Sequence, residues 1–444
     1  MKIKPSEGNQ YFCTAPWTHT YLSPQGERRL CCASREKASY IKQYIDLENP
    51  DGEAIFNPLL LEEHWNSDYM KDIRKRIMSG ESIEQCQVCN DQILNIYTYK
   101  SYFTNTLFPH KIDEIFESTD DDGYTTLKPI SYDYRITNLC NFKCRMCGDL
   151  LSSQWESERK MMGNIDYDKE PFYKKENQEK FRQFQKDVTE VELWETVKSG
   201  TIEEIYWVGG EPLMWDIHWD IMKYLVDNNQ AQNVIIRYNT NLSRTSYKGT
   251  NLYDLLPNFK NVNLCASIDG TGRIVEFVRT GIIWENWLNN FKGGLFLNEL
   301  YGDNGMVMDL TLTTPGLFSV KNLFDLALEL DVKTYIKTTF SFDSSVIMSP
   351  LCMPKEILIE IIDDILEYIK PRVTTKTMIY VEALENLKTK QTFEESYEDY
   401  RDGWKRGKSN MNRIAEFRKD AFYQLTFESI ISQNEKLLKW WNEI

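Results

Sequence analysis

The stretch that most narrows what this chain can become is Ile130–Gly148, ISYDYRITNLCNFKCRMCG. A strand-like run, Ile130–Ile136, leads directly into Cys140, Cys144 and Cys147, spaced C-x3-C-x2-C. Three thiols crowded into one loop are poor disulfide partners for one another and good ligands for a soft metal centre. Iron–sulfur clusters are usually held by four cysteine thiolates. Three local ligands would leave one iron of a 4Fe–4S cluster open to a substrate or cosubstrate. The bland alternative is a structural zinc site borrowing a fourth ligand from elsewhere.

Further strand-like runs follow at Glu204–Val208, Asn233–Tyr238, Val262–Ser267, Val307–Thr313 and Lys333–Phe340, separated by helical patterns. Strands alternating with helices imply parallel βα units, so the class expected is α/β. Six strands suit a partial barrel, with a full eight-stranded barrel as the alternative. Cysteines on the loop that leaves a strand stand where α/β folds gather their chemistry. Leu150–Lys160 predicts the first helix of the alternation. Residues 161–200 are highly charged and longer than a plain βα connection, which predicts a helical insertion. Glu356–Ile369 and most of Gly403–Ile444 have helical spacing, so residues 346–444 form a mainly helical C-terminal extension. Its last aromatic pair, Trp440-Trp441, is expected to cover an apolar surface.

The second strand-like run ends in Gly209-Gly210-Glu211-Pro212. Glycines at a strand end let backbone approach a ligand closely, and a carboxylate beside them can accept hydrogen bonds from an ammonium group. With the cysteine loop one βα unit earlier, the chain resembles the radical S-adenosylmethionine (radical SAM) superfamily. The resemblance implies a partial (β/α)6 barrel over residues 130–345. It implies that Cys140, Cys144 and Cys147 hold a 4Fe–4S cluster that reduces S-adenosylmethionine to a 5′-deoxyadenosyl radical. It implies that Gly209, Gly210 and Glu211 receive the cosubstrate's amino group. Asn239-Thr240-Asn241, Ser267-Ile268-Asp269-Gly270 and Val278-Arg279-Thr280-Gly281 resemble stretches common in the branch with auxiliary clusters. By that likeness Asn239, Asn241, Ser267 and Arg279 contact the ribose and carboxylate of the cosubstrate. Turn chemistry is the other reading of the Asn and Asp residues, and a surface ion pair that of Arg279.

Residues 1–110 carry a second constellation: Cys13, then Gly26, then Cys31 four residues beyond it, and later Cys86 and Cys89 as C-x2-C. The glycine fits a hairpin turn between Thr20–Ser23 and Arg28–Cys32. A helix from Glu62 to Met78 would carry the chain to the second pair. A four-cysteine zinc site is one reading. The arrangement also resembles the auxiliary cluster-binding extension called a twitch domain, the short relative of the SPASM domain, here placed before the barrel. That implies a second, auxiliary 4Fe–4S cluster on Cys13, Cys31, Cys86 and Cys89. Cys32 is then spare, either a substitute for Cys31 or a small buried hydrophobe. Cys265 is expected to pack, and Cys352, in a loop flanked by prolines, to pack or to approach a cluster or the substrate. His19 and His64 are read as satisfied structural residues. Asp113–Gly123 is acidic and turn-rich, which predicts a linker over residues 111–129.

A net charge of −15 argues against a nucleic-acid surface spread over the molecule. The start, MKIKPSEGNQYF, has no apolar signal core, and no apolar run reaches the ~18 residues needed to span a bilayer. A cytoplasmic protein without membrane segments is expected, and there ten cysteines point to metal or redox chemistry rather than disulfides. The function implied is a radical SAM enzyme that abstracts hydrogen from a peptide or protein side chain. Its partner would be a low-potential electron donor such as flavodoxin or ferredoxin. A small metabolite or nucleotide substrate is the alternative, as is a non-catalytic two-cluster electron-transfer or iron-sensing protein.

Overall fold

The computed structural model describes residues 2–34, 57–92, 98–167, 170–339, 346–420, 423 and 425–444. Its N-terminal segment forms a hairpin of β1 (His19–Leu22) and β2 (Arg28–Arg29). Gly26 turns it at φ +84°, and a β-carbon there would press on Phe184, Pro58 and Phe181 at 3.1–3.3 Å. Both facts require glycine.

The helix expected over Glu62–Met78 is two elements. A short turn at Leu61–Trp65 stops, and Ser67 caps α1 (Asp68–Met78) by accepting from the Met70 N–H. Met70, Ile73, Ile77 and Met78 share one face of α1, as the 3.6-residue period dictates. They pack with Phe12, Trp17, Leu30 and Ile83. Ile115 completes that core from α2 (Ile112–Ser118). The stretch expected as an acidic linker therefore contains a docked helix. One apolar stripe, Ile112, Ile115 and Phe116, suffices to seat it while its carboxylates face water.

β3 (Ser131–Tyr134) is followed by α3 (Ser153–Met161) and α4 (Lys175–Asp187). The charged run 161–200 is largely α4 and its continuation through one wide turn, Val188–Leu193, into Trp194–Ser199. Phe181, Phe184, Val188, Leu193 and Val197 form its buried side. Then come β4 (Glu204–Trp207), α5 (Asp216–Asp227), β5 (Ile235–Thr240), β6 (Asn261–Ser267), α6 (Gly272–Val278), β7 (Met306–Leu312), α7 (Val320–Glu329) and β8 (Thr334–Thr338). All six expected strands are present; the expected end of the last, Phe340, lies outside the described residues.

The strands form one eight-stranded, mostly parallel sheet in the order β8-β7-β6-β5-β4-β3-β1-β2. β3 pairs parallel with β4, β6 with β7 and β7 with β8. The N-terminal hairpin is not set apart from this sheet. β1 pairs parallel with β3, His19 opposite Ser131 and Tyr21 opposite Asp133, leaving β2 as the antiparallel edge.

Two compact units divide the chain differently from the expected boundaries at 110, 130 and 345. One comprises Met1–Leu139, Glu156–Arg237 and Asn258–Lys260; the other comprises Cys140–Trp155, Tyr238–Pro257 and Asn261–Ile444. In the first, the buried Arg28 guanidinium donates to both oxygens of Glu192 (2.6–2.7 Å) and to the Tyr134 hydroxyl (2.9 Å). In the second, α8 (Lys355–Ile369) buries Leu358, Ile362, Ile365 and Ile369. It is followed by α9 (Tyr400–Phe417) and α10 (Glu435–Glu443), where Trp440 and Trp441 are buried as expected. Among the described residues no helix is long and apolar enough to cross a membrane.

Candidate functional site

Cys140, Cys144 and Cys147 lie on the loop between β3 and α3, the first two buried and the third half-buried. Local hydrogen bonds shape the loop. The Cys147 N–H donates to the Cys144 carbonyl (3.0 Å), and the Phe142 N–H points at Cys140 Sγ (3.4 Å). Ser152 Oγ donates to the Phe142 carbonyl (2.5 Å) and Trp155 Nε1 to the Cys144 carbonyl (2.6 Å). All ten cysteines are free thiols.

A second brace comes from far along the chain. The Lys143 and Arg145 N–H groups donate to the carbonyls of Thr280 (2.9 Å) and Val278 (2.8 Å), so Val278–Gly281 backs the cysteine loop. Arg145 is buried, pairs with Asp420 at 2.5 Å and covers the Phe277 ring at 3.9 Å. Arg418 donates to the Lys143 carbonyl (3.0 Å) and lies over the Trp155 ring (4.6 Å). Arg279 thereby comes within electrostatic reach of Cys144 and forms a buried ion pair with Asp269 at 2.6 Å. These two groups touch without the alignment of a hydrogen bond. Burial pushes the Cys144 thiol up to about 12, with Cys147 adding to it, and raises Cys147 as well. Such thiols are protonated until a cation replaces the proton.

The polar residues expected around the cosubstrate are held in defined pairs. Asn241 Nδ2 donates to Asn141 Oδ1 (3.0 Å) and stands 3.9 Å from Cys140 Sγ. Asn141 Nδ2 donates to Ser243 Oγ (3.0 Å). Asn239 Nδ2 and Lys337 Nζ both donate to Asp309 Oδ2, at 2.7 and 2.8 Å. Ser267 ends β6 opposite Asp309. Thus Asn239, Asn241, Ser267 and Arg279 belong to the same unit as the three cysteines.

Gly209, Gly210 and Glu211 belong to the other unit, on the turn leaving β4. The Gly210 N–H donates to the Thr137 carbonyl (3.3 Å) and the Glu211 N–H to the Leu139 carbonyl (2.8 Å). A β-carbon on Gly210 would lie 2.3 Å from that Leu139 oxygen, so only glycine allows this approach. Leu139 is the residue before Cys140 in the chain. Glu211 is buried, and its Oε1 accepts from the Leu213 N–H (3.0 Å).

Cys13, Cys31, Cys86 and Cys89 line one cavity, together with Tyr99, Lys100 and Phe103. Its open space is about 30 Å³. Each thiol is within electrostatic reach of at least two of the others. Burial first, then this mutual repulsion, raises Cys31 and Cys86, and burial pushes Cys13 up to about 12. Four converging thiols suit a four-cysteine cluster. Cys32 is not on the cavity wall; its thiol hydrogen-bonds the Tyr99 hydroxyl beside Asp133 and Arg135. Among the described residues no group of three or more His, Cys, Asp or Glu side chains is arranged to hold a metal ion.

Cys265, Cys352, His19 and His64 stand apart from these two groups. Cys265 Sγ meets Asn263 Oδ1 (3.4 Å). Cys352 is fully buried against Thr314 Oγ1 (3.7 Å) and the Ile347 carbonyl (3.6 Å), away from both groups of ligand candidates in its hydrogen bonding. His19 Nδ1 pairs with Ser131 Oγ (2.7 Å) but its buried Nε2 finds no hydrogen-bond partner among the described residues, so the ring expected to be satisfied is only half so; His64 packs on Tyr69. Asn141, Asp309, Lys337 and the Arg145–Asp420 pair went unread in the sequence. Only Asn141, inside the cysteine motif, had a local signal. A scan against profiles of known protein families finds no match, and a search of curated proteins finds none at a significant level.

Proposed function

We propose that the chain is a radical SAM enzyme with a partial (β/α)6 barrel and an N-terminal auxiliary iron–sulfur site. One observation carries the reading. The same short loop holds the three cysteines, and the carbonyl of the residue before it, Leu139, accepts from the N–H of Glu211 at the end of the glycine turn. Six strands alternating with helices support the partial barrel.

In this reading Cys140, Cys144 and Cys147 hold a 4Fe–4S cluster and Glu211 receives the ammonium of S-adenosylmethionine. A cluster held there would supply the single electron, received from an external reductant, for reductive cleavage of the sulfonium and hence for hydrogen abstraction from substrate. The chain's own contributions are placement and charge. Asn241 directs an N–H toward the Cys140 sulfur, which lowers the cost of negative charge there. Arg279 and Arg418 bring positive charge near Cys144. Asp269 fixes Arg279, and Asp309 fixes Asn239. The cavity of Cys13, Cys31, Cys86 and Cys89 would hold a second 4Fe–4S cluster able to exchange electrons. A peptide or protein side chain as substrate rests on the likeness of this auxiliary arrangement alone.

The test is anaerobic reconstitution followed by dithionite and S-adenosylmethionine. The expected product is 5′-deoxyadenosine, with iron and sulfide near two four-iron clusters per chain. Two clusters without any 5′-deoxyadenosine, even with partner proteins supplied, would instead favour a non-catalytic electron carrier or iron sensor.

A further inference from the structure

α9 has two faces of different character. Its inner side chains reach the cysteine loop: Met411 Sδ lies 3.7 Å from Arg145 Nη1, and Asp420 and Arg418, just past the helix end, hold Arg145 and the Lys143 carbonyl. Arg418 in turn covers Trp155, whose indole N–H donates to the Cys144 carbonyl. Two side chains therefore separate this helix from a cluster ligand.

Its outer side is basic in a chain of net charge −15. Arg401, Lys405, Arg406 and Arg413 are exposed along it, against exposed Asp402 and Glu416, with Glu398 and Asp399 exposed just before its start and Asp399 paired with Arg406 at 3.7 Å. Lys405, Arg413 and Lys419 have no carboxylate partner among the described residues. Lys405, Lys408, Ser409, Asn412 and Arg413 also line a shallow surface concavity of about 460 Å³ with Glu416 and Ile444. An acidic protein approaching this molecule is repelled by its overall charge and attracted only where local charge reverses, and local fields of that kind steer association.

We propose that the outer face of α9 is the docking surface for an acidic one-electron carrier protein, which delivers its electron toward the cysteine loop along the Arg418–Trp155–Cys144 contacts. The inference rests on the radical SAM reading, because only a reducible centre on that loop gives the carrier something to reduce. The partner is specified by its charge and its one-electron chemistry.

The experiment compares the reconstituted wild type with Lys405→Glu/Arg413→Glu, both on exposed positions outside the site. Cluster bleaching is followed by stopped flow with reduced flavodoxin, an acidic carrier, and separately with dithionite, a small ion that needs no docking surface. The expected result is a loss of about tenfold or more with flavodoxin at low salt, shrinking as salt screens the contact, and no change with dithionite. Equal rates for variant and wild type with flavodoxin would overturn the proposal. So would equal losses with both reductants, which would make these residues supports of the helix. A wild type that dithionite cannot reduce would count against the radical SAM reading itself and is thereby told apart.

Discussion

Gly210→Ala tests how tightly the glycine turn is packed against the segment that enters the cysteine loop. The added β-carbon would stand 2.3 Å from the Leu139 carbonyl oxygen, 2.7 Å from the Asn138 carbonyl carbon and 2.8 Å from that of Leu139. All three are backbone atoms, so no side chain can swing aside. A comfortable carbon–oxygen contact is about 3.3 Å or more. The backbone must therefore open by about 1 Å, stretching the Glu211–Leu139 hydrogen bond of 2.8 Å. Overpacking of this kind costs ~1–3 kcal/mol. Displacing a catalytic constellation by 1 Å costs ~100-fold in rate. The control is Gly148→Ala, next to Cys147, where a β-carbon meets nothing within 4 Å and φ is not positive. Denaturant unfolding, iron content and dithionite-driven 5′-deoxyadenosine formation are measured on both. Gly210→Ala should unfold earlier and turn over far more slowly while Gly148→Ala stays near wild type. A Gly210→Ala protein as stable and active as its control would refute the close-approach argument.

Cys86→Ser/Cys89→Ser should lose about half of the iron and keep the rest, whereas Cys32→Ser should keep all of it, since Cys32 faces Tyr99 and not the cavity; iron loss in Cys32→Ser would make Cys32 a ligand. Arg145→Ala leaves the buried Asp420 carboxylate without its 2.5 Å partner, and should cost ~3–5 kcal/mol by chemical unfolding; a cost under ~1 kcal/mol would show the pair to be solvated. Burial pulls His19, His64 and His218 down to about 3, whereas unfolded imidazoles protonate near 6.5. Their contribution is fully present above about pH 6.5 and is lost as pH falls toward 3, by ~1.4 kcal/mol per pH unit for each. Urea unfolding at pH 7 and pH 5 should show a smaller pH loss in His218→Phe than in wild type, and equal losses would contradict the assignment.

What was legible in the sequence was local. The cysteine loop, the glycine turn, the Gly26 hairpin and the six strands each declare themselves within a dozen residues. The docking of α2 was hidden because a single deeply buried residue, Ile115, seats a helix whose other positions look like an acidic linker. The pairing of β1 with β3 joins residues more than a hundred positions apart and leaves no periodic trace. The clamp of Arg145 on Asp420 spans 275 residues, so neither partner signals the other. The choice between Cys31 and Cys32 turns on strand-end geometry: adjacent residues diverge, one to the cavity and one to Tyr99.

The most direct measurement is electron paramagnetic resonance of the reduced Cys86→Ser/Cys89→Ser protein, in which only the cluster on Cys140, Cys144 and Cys147 remains. Adding S-adenosylmethionine should shift its g-values, as expected when a vacant iron takes a ligand. A four-iron spectrum that the cosubstrate leaves unaltered, or a protein that carries zinc and gives no signal, would contradict the account.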